Sequence, residues 1–227
     1  MDKKKTEIHW SFETNWVFSL VVTVIFALLA FNVDRAAIGP NDTEVGLSAL
    51  NGAVAARFGY NAFFDKITDV TMVLAILTAA VFAVIGFLQL VREKSLIKVD
   101  KRIIGLGCVY VLVVVLYVFF DKVPLNYRPV LVPGETELEA SFPSSHVMVI
   151  VTIMSTAVAF IKSFLAGKDD VRKWLVTAAE VIMIVAVVGR ILAGVHWISD
   201  IIGGLLISLT ISECYKALFI GKSDKQS

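Results

Sequence analysis

Long, nearly uninterrupted apolar runs are the feature that most limits the folds open to this chain, and residues 67–91 form the longest of them. A helix of about 20 apolar residues crosses the hydrocarbon core of a bilayer and satisfies its own backbone hydrogen bonds there. The 227-residue chain is 57% hydrophobic, which is more than a soluble domain of this size can bury. The sequence therefore predicts an all-α, polytopic membrane protein.

Six apolar segments are predicted to be transmembrane helices, at about residues 16–33, 67–91, 103–120, 146–165, 174–188 and 196–219. The first segment is long for the apolar part of a signal peptide and no small-x-small cleavage site precedes Asp34, so we expect an uncleaved span. Between the first two spans, apolar residues recur at helical spacing and predict a short amphipathic helix on the membrane surface: Leu47, Leu50, Val54 and Phe58. No soluble domain or internal repeat is visible, so residues 1–227 are expected to form a single membrane domain.

Lysine and arginine residues are distributed unevenly between the two sides of these spans. The amino terminus, the loop between spans two and three, the loop between spans four and five and the carboxyl tail hold 15 of the 21. With six spans these four segments share one side, and the positive-inside rule makes that side the cytoplasm. We therefore expect both termini to be cytoplasmic, in the plasma membrane, and the loops with Lys122, Arg128 and Arg190 to face outward.

Two classes of partner or cofactor find no support in the composition. The net charge is only +1, and no Lys/Arg-rich segment is interleaved with aromatic residues, which argues against a nucleic-acid surface. Cys108 and Cys214 lie inside apolar runs and have no partner close in sequence, so they are interpreted as small core residues and not as a disulfide or metal framework.

Two polar motifs occur at the outward ends of spans three and four. The segment Lys122-Val-Pro-Leu-Asn-Tyr-Arg128-Pro129 follows span three, and Pro129 favours an extended backbone at Arg128. The segment Pro143-Ser144-Ser145-His146 begins span four. Pro near a first turn with Ser beside it is typical of a helix amino terminus, whose free N–H groups and dipole bind anions.

A third motif, Gly189 to Asp200, joins spans five and six and places three charged or titratable side chains in apolar sequence. Arg190 offers a planar fork of donors for phosphate or carboxylate. If the next helix begins near Val195, His196 and Asp200 lie one turn apart on the same face, and the carboxylate can hold the imidazole in one tautomer. This pattern predicts a nucleophile with an orienting group.

The order Lys…Arg-Pro, Pro-Ser-x-His and Arg-x5-His-x3-Asp resembles the type 2 phosphatidic acid phosphatase family, the membrane lipid phosphate phosphatases, over roughly Ile67 to Phe219. The resemblance implies hydrolysis of a lipid phosphate or pyrophosphate through a phosphohistidine, without a cofactor or metal. It implies that His196 is the nucleophile, Asp200 its orienter and His146 the general acid. It also implies a set of groups that hold the phosphate: Lys122, Arg128, Ser144, Ser145 through its backbone N–H, and Arg190. Polyprenyl pyrophosphate, phosphatidic acid and phosphatidylglycerophosphate all remain candidate substrates.

This sequence departs from the family pattern at three positions. Five residues separate Lys122 from Arg128 where the family usually has six, and Asp121 stands where the Lys is expected. Ser145 replaces the usual Gly of the second motif, and Gly189 replaces a Ser that often precedes the Arg of the third.

Other functions are consistent with parts of the same pattern. His146, His196 and Asp200 could form a metal site with two His and one carboxylate, although the three cationic side chains nearby favour an anion. A transporter would place its charges along a pathway through the membrane, whereas these charges gather at one end of the spans. Transfer of the phosphoryl group to another lipid, and a haloperoxidase-like oxidation with vanadate, remain open on the motifs alone.

Overall fold

The computed structural model describes residues 16–165 and 167–220, which form seven α-helices and one small antiparallel hairpin. The helices are α1 Trp16–Asn32, α2 Ser48–Arg57, α3 Ala62–Glu93, α4 Lys101–Lys122, α5 Ser145–Phe164, α6 Asp169–Ala193 and α7 Ile198–Phe219. The hairpin strands β1 Ala36–Ala37 and β2 Glu44–Val45 lie between α1 and α2. The predicted all-α fold is confirmed.

Five helices, α3 to α7, are long and apolar enough to cross a membrane. Large apolar side chains on their outer faces are exposed, such as Phe63 at 67%, Phe87 at 63% and Trp174 at 77%, as expected for contact with lipid. The chain is therefore an integral membrane protein. The first predicted span, residues 16–33, corresponds to α1, which is apolar but has 17 described residues, so the count of six spans stays a prediction.

The observed ends of the fifth span differ most from the prediction. The apolar run predicted residues 174–188, whereas α6 extends from Asp169 to Ala193. Asp169 and Asp170 occupy its first turn, where acidic side chains complement the helix dipole. At the other end the helix continues through the buried Arg190 and ends at Gly194, which adopts a left-handed conformation with φ 66°.

Helix α5 lies at the centre of the bundle and packs against α3, α4, α6 and α7. Its buried side chains contribute to two apolar clusters, one around Leu106 and Phe160 and the other around Ile150 and Met154. Central packing fixes the position of its amino terminus, which carries His146.

Close backbone approaches bring α3 beside α6 at the end of the bundle where α5 and α7 begin. A Cβ atom at Gly194 would lie 2.5 Å from the carbonyl oxygen of Gly59, and one at Gly189 would lie 2.6 Å from Cγ2 of Thr68. The backbone N–H of Asn61 also donates to the carbonyl of Ala193 at 3.0 Å. These contacts hold the first turns of α3 against the last turn of α6.

The short helix predicted between the first two spans is present as α2, and its polar side contacts the start of α7. Asn51 is fully buried; its Nδ2 donates to Ser199 Oγ at 3.0 Å, and the backbone N–H of Ser199 donates to Asn51 Oδ1 at 3.1 Å. Leu50 remains 49% exposed. Helix α2 therefore helps to fix the first turn of α7, which carries Asp200.

Candidate active site

Asp200 lies in the first turn of α7 and is fully buried. One carboxylate oxygen accepts hydrogen bonds from the Trp197 backbone N–H at 3.0 Å and the Ser141 hydroxyl at 2.5 Å, and the other accepts from Asn126 Nδ2 at 3.1 Å. The bond from Trp197 is a helix cap. The same carboxylate thus closes the start of the helix and holds the loop between α4 and α5.

His196 lies in the short connection before α7, because the helix begins at Ile198 and not near Val195. The predicted arrangement of His196 and Asp200 on one helix face is therefore wrong. Their nearest atoms, His196 Nδ1 and Asp200 Oδ2, are 3.8 Å apart, and the Ser141 hydroxyl lies between them, 3.1 Å from Nδ1.

The position of Ser141 determines the tautomer of His196. The Ser141 hydroxyl donates its one proton to Asp200, so its oxygen can only accept from Nδ1–H of the imidazole. Nε2 then carries the lone pair. This nitrogen is buried and has no hydrogen-bond partner in the described part of the chain. His196 is thus arranged as a nucleophile oriented through a serine.

Burial lowers the pKa of His196 well below its ordinary value, and the nearby charges of Arg190, Arg128 and His146 act in the same direction. The imidazole is therefore neutral at neutral pH. Two arginines and a second histidine thus contribute to the electrostatic environment of His196.

Arg190 is almost completely buried, with 1% of its surface exposed. Its Nη1 donates to Asp65 Oδ1 at 2.5 Å and to Thr68 Oγ1 at 3.1 Å, both on α3. Its Nε and Nη2 are buried without a partner in the described residues. One edge of the guanidinium is held by α3, and the remaining donors are available to an anion.

Arg128 is held by an acidic residue of its own loop. Its Nη2 lies 2.5 Å from Glu139 Oε2, and its backbone N–H donates to the Glu139 carbonyl at 3.1 Å. The bridge between Tyr127 and Ala140 pairs the two strands of the loop beside this contact. Glu139 therefore combines a partly exposed side chain with an ion pair to the first motif. Nε of Arg128 is buried and unpartnered in the described structure.

The amino terminus of α5 carries the second motif. Ser144 precedes the helix, its N–H donates to the Asp200 carbonyl at 3.0 Å, and its buried hydroxyl has no partner among the described residues. Ser145 is the first helical residue and is not among the residues with positive φ, so the backbone accommodates Ser where the family usually has Gly. His146 directs Nε2 to Asp69 Oδ1 at 3.0 Å, and its Nδ1 is buried without a partner in the described ranges.

Lys122 is the outermost of the predicted phosphate ligands. It ends α4, its side chain is 77% exposed, and its Nζ lies 3.0 Å from Asp121 Oδ2. With Arg128 and Ser145 it lines a cavity of about 460 Å³ beside the site. The structure therefore places Lys122 at the entrance and not among the buried groups around His196.

Five residues of this arrangement were not singled out as site residues from the sequence: Asp65, Asp69, Asn126, Glu139 and Ser141. Asp65 and Asp69 had a signal, because two carboxylates spaced i, i+4 at the edge of an apolar run need partners. Asn126 and Ser141 had none, because single polar residues in a loop are normally solvated.

A family model described as the PAP2 superfamily matches residues 108–219. This part of the chain belongs to the PAP2 superfamily. The resemblance inferred from the three motifs is thereby confirmed. All the site residues predicted from the motifs lie within the PAP2 segment, whereas α3, with Asp65 and Asp69, lies outside it.

The PAP2 fold extends beyond that segment. The crystal structure of a transmembrane PAP2-type phosphatidylglycerolphosphate phosphatase from Bacillus subtilis is similar, with a TM-score of 0.62 over 94% of this chain and 98% of that one, at 19% sequence identity. No curated protein matches the chain. Among the residues that the structure describes, no group of three or more His, Cys, Asp or Glu side chains is placed to hold a metal ion.

Proposed function

We propose that this protein is a membrane phosphatase that hydrolyses a lipid phosphate through a phosphohistidine at His196. The observation that carries the proposal is a set of buried polar atoms near His196 that lack a partner in the described residues. They are Arg128 Nε, Ser144 Oγ, His146 Nδ1, Arg190 Nε and Nη2, and His196 Nε2. Buried polar groups are normally hydrogen-bonded, so donors and a nucleophilic nitrogen left together favour an anionic ligand.

The proposed chemistry follows from the roles that these atoms can take. Arg128, Arg190 and the start of α5 bind the phosphate oxygens and stabilise the charge of the transition state. His196 Nε2 attacks phosphorus, and the leaving oxygen takes a proton from His146 Nδ1. Water then attacks the phosphohistidine while His146 Nδ1 accepts a proton from that water, which releases phosphate and restores both imidazoles.

A lipid substrate is favoured by the location of the site. The buried groups lie where α5, α6 and α7 begin or end, so a phosphate can bind there while its tail stays in the bilayer. The uneven distribution of Lys and Arg supports our proposal that this end of the protein lies on the outer side of the plasma membrane, with both termini in the cytoplasm.

The cavity beside Arg128 favours some lipids over others. Its lining has four carboxylates, Asp121, Glu135, Glu137 and Glu139, and two cations, Lys122 and Arg128, each of which is paired with one of those carboxylates. Excess negative charge opposes a second phosphate beside the first one. We therefore propose a lipid phosphomonoester whose phosphate is not bonded directly to a second phosphate, such as phosphatidic acid or phosphatidylglycerophosphate, in preference to polyprenyl pyrophosphate.

Phosphate release from these three lipids by the purified protein, in detergent with a chelator present, tests the proposal. We expect release from the monophosphates, slower release from the pyrophosphate, and water as the acceptor. Absence of release from every lipid, or activity only with added metal, would contradict a metal-independent phosphatase. Transfer of the phosphoryl group to a second lipid would instead indicate a phosphotransferase.

A further inference from the structure

We infer that Asp69 is a positioning residue for the general acid, and that it makes His146 Nδ1 the atom that donates the proton. This inference rests on the proposed phosphatase function. The relevant helix, α3, lies outside residues 108–219, so the PAP2 match assigns it no role. Asp69 is therefore a candidate addition to the site from a neighbouring part of the chain.

The contact between Asp69 and His146 is direct. Asp69 Oδ1 lies 3.0 Å from His146 Nε2, and 77 residues separate the two along the chain. The imidazole has two nitrogens, and the other one, Nδ1, is buried without a partner in the described residues. Since Asp69 occupies one side of the ring, Nδ1 is the nitrogen left to face a substrate.

The position of Asp69 is fixed by the packing of α3. Asp65, one turn earlier, binds Arg190 at 2.5 Å, and Thr68 donates from its hydroxyl to the Asp65 carbonyl and contacts Arg190 Nη1 at 3.1 Å. Residues four apart lie on the same face of a helix, so Asp65 and Asp69 both face the site. Gly189 allows this approach, because a Cβ there would lie 2.6 Å from Thr68 Cγ2.

A carboxylate on Nε2 has two chemical effects on the ring. It accepts Nε2–H, so the second proton of the imidazolium must be carried by Nδ1, and it stabilises the charged ring before transfer. On cleavage, the Nδ1 proton passes to the leaving oxygen as the bond between phosphorus and that oxygen breaks. On hydrolysis of the phosphohistidine, Nδ1 takes a proton from the attacking water, so Asp69 keeps its hydrogen bond throughout and gains no proton.

A purely structural role for Asp69 makes a different prediction. Loss of a structural contact would slow every substrate alike, whereas loss of general-acid support matters only when the leaving oxygen needs a proton. A lipid alkoxide is a basic leaving group, and the phenolate of an activated aryl phosphate such as 4-nitrophenyl phosphate is not. The ratio of the two rates therefore separates the roles.

The experiment compares Asp69→Asn with wild type on one lipid monophosphate and on 4-nitrophenyl phosphate. We expect Asp69→Asn to lower kcat on the lipid by about tenfold to a hundredfold, part of the ~10²–10⁴ that a general acid provides, and on the aryl phosphate by less than about threefold. Asp69→Glu should recover part of the lipid activity. Addition of Asp69→Asn to His146→Ala should cause no further loss, because the two residues act as one unit.

Asp42→Asn is the matched control, since Asp42 is an exposed acid in the connection between α1 and α2. It should leave both activities unchanged. Equal losses on the two substrates, an additive effect in the His146→Ala background, or no effect at all would overturn the role of Asp69. A wild-type protein inactive on both substrates would instead contradict the phosphatase function itself. If Asp69→Asn fails to fold, the rates of Asp69→Glu on the same two substrates would be compared with wild type instead.

Discussion

On one side of the site, Asp200 is fully buried and accepts hydrogen bonds from Ser141, Asn126 and the Trp197 backbone. On the other side, Arg128 is held by Glu139, whose side chain is 46% exposed. The first set of contacts is fully buried and joins the start of α7 to the loop between α4 and α5. The second is an ion pair at the edge of a cavity, where the proposed phosphate would compete with Glu139 for the same guanidinium.

This difference in burial and pairing predicts how the two sides should contribute to catalysis. Groups that are already oriented act in the transition state without further rearrangement, so changes to the buried side should lower kcat. A cation that must exchange a carboxylate for phosphate influences how readily substrate binds, so changes to the edge should mainly alter KM.

The cations should differ according to burial. Arg190 is 1% exposed and the Arg128 side chain 15%, whereas the Lys122 side chain is 77% exposed and paired with Asp121. Loss of a preorganised donor in a water-poor site costs ~2.7–4 kcal/mol of barrier, so Arg190→Ala should lower kcat/KM by about 10²–10³-fold, mainly through kcat. Arg128→Ala should also lower kcat/KM, but mainly through a higher KM, because Arg128 exchanges Glu139 for phosphate. Lys122→Ala should lower kcat/KM by less than about fivefold, as for an exposed ion pair.

Steady-state kinetics of the three variants on one lipid would measure the relative losses of kcat/KM. A loss for Lys122→Ala equal to the arginine losses would show that this lysine reaches the phosphate despite the short spacer.

Ser141→Ala should affect kcat more than KM, because Ser141 contacts the proposed nucleophile His196. Loss of a buried hydrogen-bonding group costs about 1–3 kcal/mol, so Ser141→Ala should lower kcat by roughly tenfold to a hundredfold. Ser155→Ala is the control, since the Ser155 hydroxyl is hydrogen-bonded to Ser212 at 2.5 Å in the middle of the bundle. An unchanged kcat in Ser141→Ala would mean that Asp200 orients His196 without the serine.

His196 should also make the buried side sensitive to acid. Its pKa is lowered by burial in the folded protein and is near 6.5 when the chain unfolds, so the unfolded state binds more protons below that pH. The free energy of unfolding should therefore fall as the pH drops below about 6.5, by up to ~1.4 kcal/mol per pH unit from this residue. Denaturation in detergent across pH 5–8 would measure this loss, and His196→Gln should lack it. Parallel pH dependence in the two proteins would contradict the buried, neutral imidazole.

Replacement of Glu139 should cause the smallest change in kinetics, and that change should be tighter substrate binding instead of a loss. Glu139→Gln removes the charge that competes with phosphate for Arg128, so KM should fall by about twofold to fivefold with kcat nearly unchanged, within the range of a partly exposed ion pair. Glu44→Gln is a suitable control, because Glu44 forms an exposed pair with Arg35 at 2.6 Å, away from the cavity. A rise in KM for Glu139→Gln would show that Glu139 orients Arg128 for substrate instead of competing with it.

The sequence predicted the helices and the principal motifs because both depend on local pattern. Apolar runs marked α3 to α7, and the spacing of Arg190, His196 and Asp200 indicated a phosphate site. The ends of α6 were missed because charged residues in its first and last turns broke the apolar run although the helix continues. A hydropathy pattern detects the part of a helix that faces lipid, not the turns beyond it.

The contacts that complete the site could not be predicted, because they join residues distant in sequence. Ser141 and His196 are 55 residues apart, and Arg190 and Asp65 are 125 apart. Without the packing of α3 against α6, Asp65 is simply an acidic residue beside a membrane span. The tautomer of His196 likewise depends on Ser141. The predicted arrangement, with His196 and Asp200 in direct contact on one helix face, included no such intermediate residue.

Trapping of a phosphorylated intermediate is the most direct test of His196 as the nucleophile. The purified protein would be mixed with a lipid monophosphate labelled with ³²P in the phosphoryl group, quenched in alkali to preserve phosphohistidine, and digested for peptide mapping. We predict label on the peptide that contains His196. The label should be stronger in His146→Ala on an activated aryl phosphate, because hydrolysis of the intermediate is slowed in that variant. It should be absent in His196→Ala, which should also lose turnover. Normal phosphate release by His196→Ala, or label on any other residue, would contradict a phosphohistidine at His196.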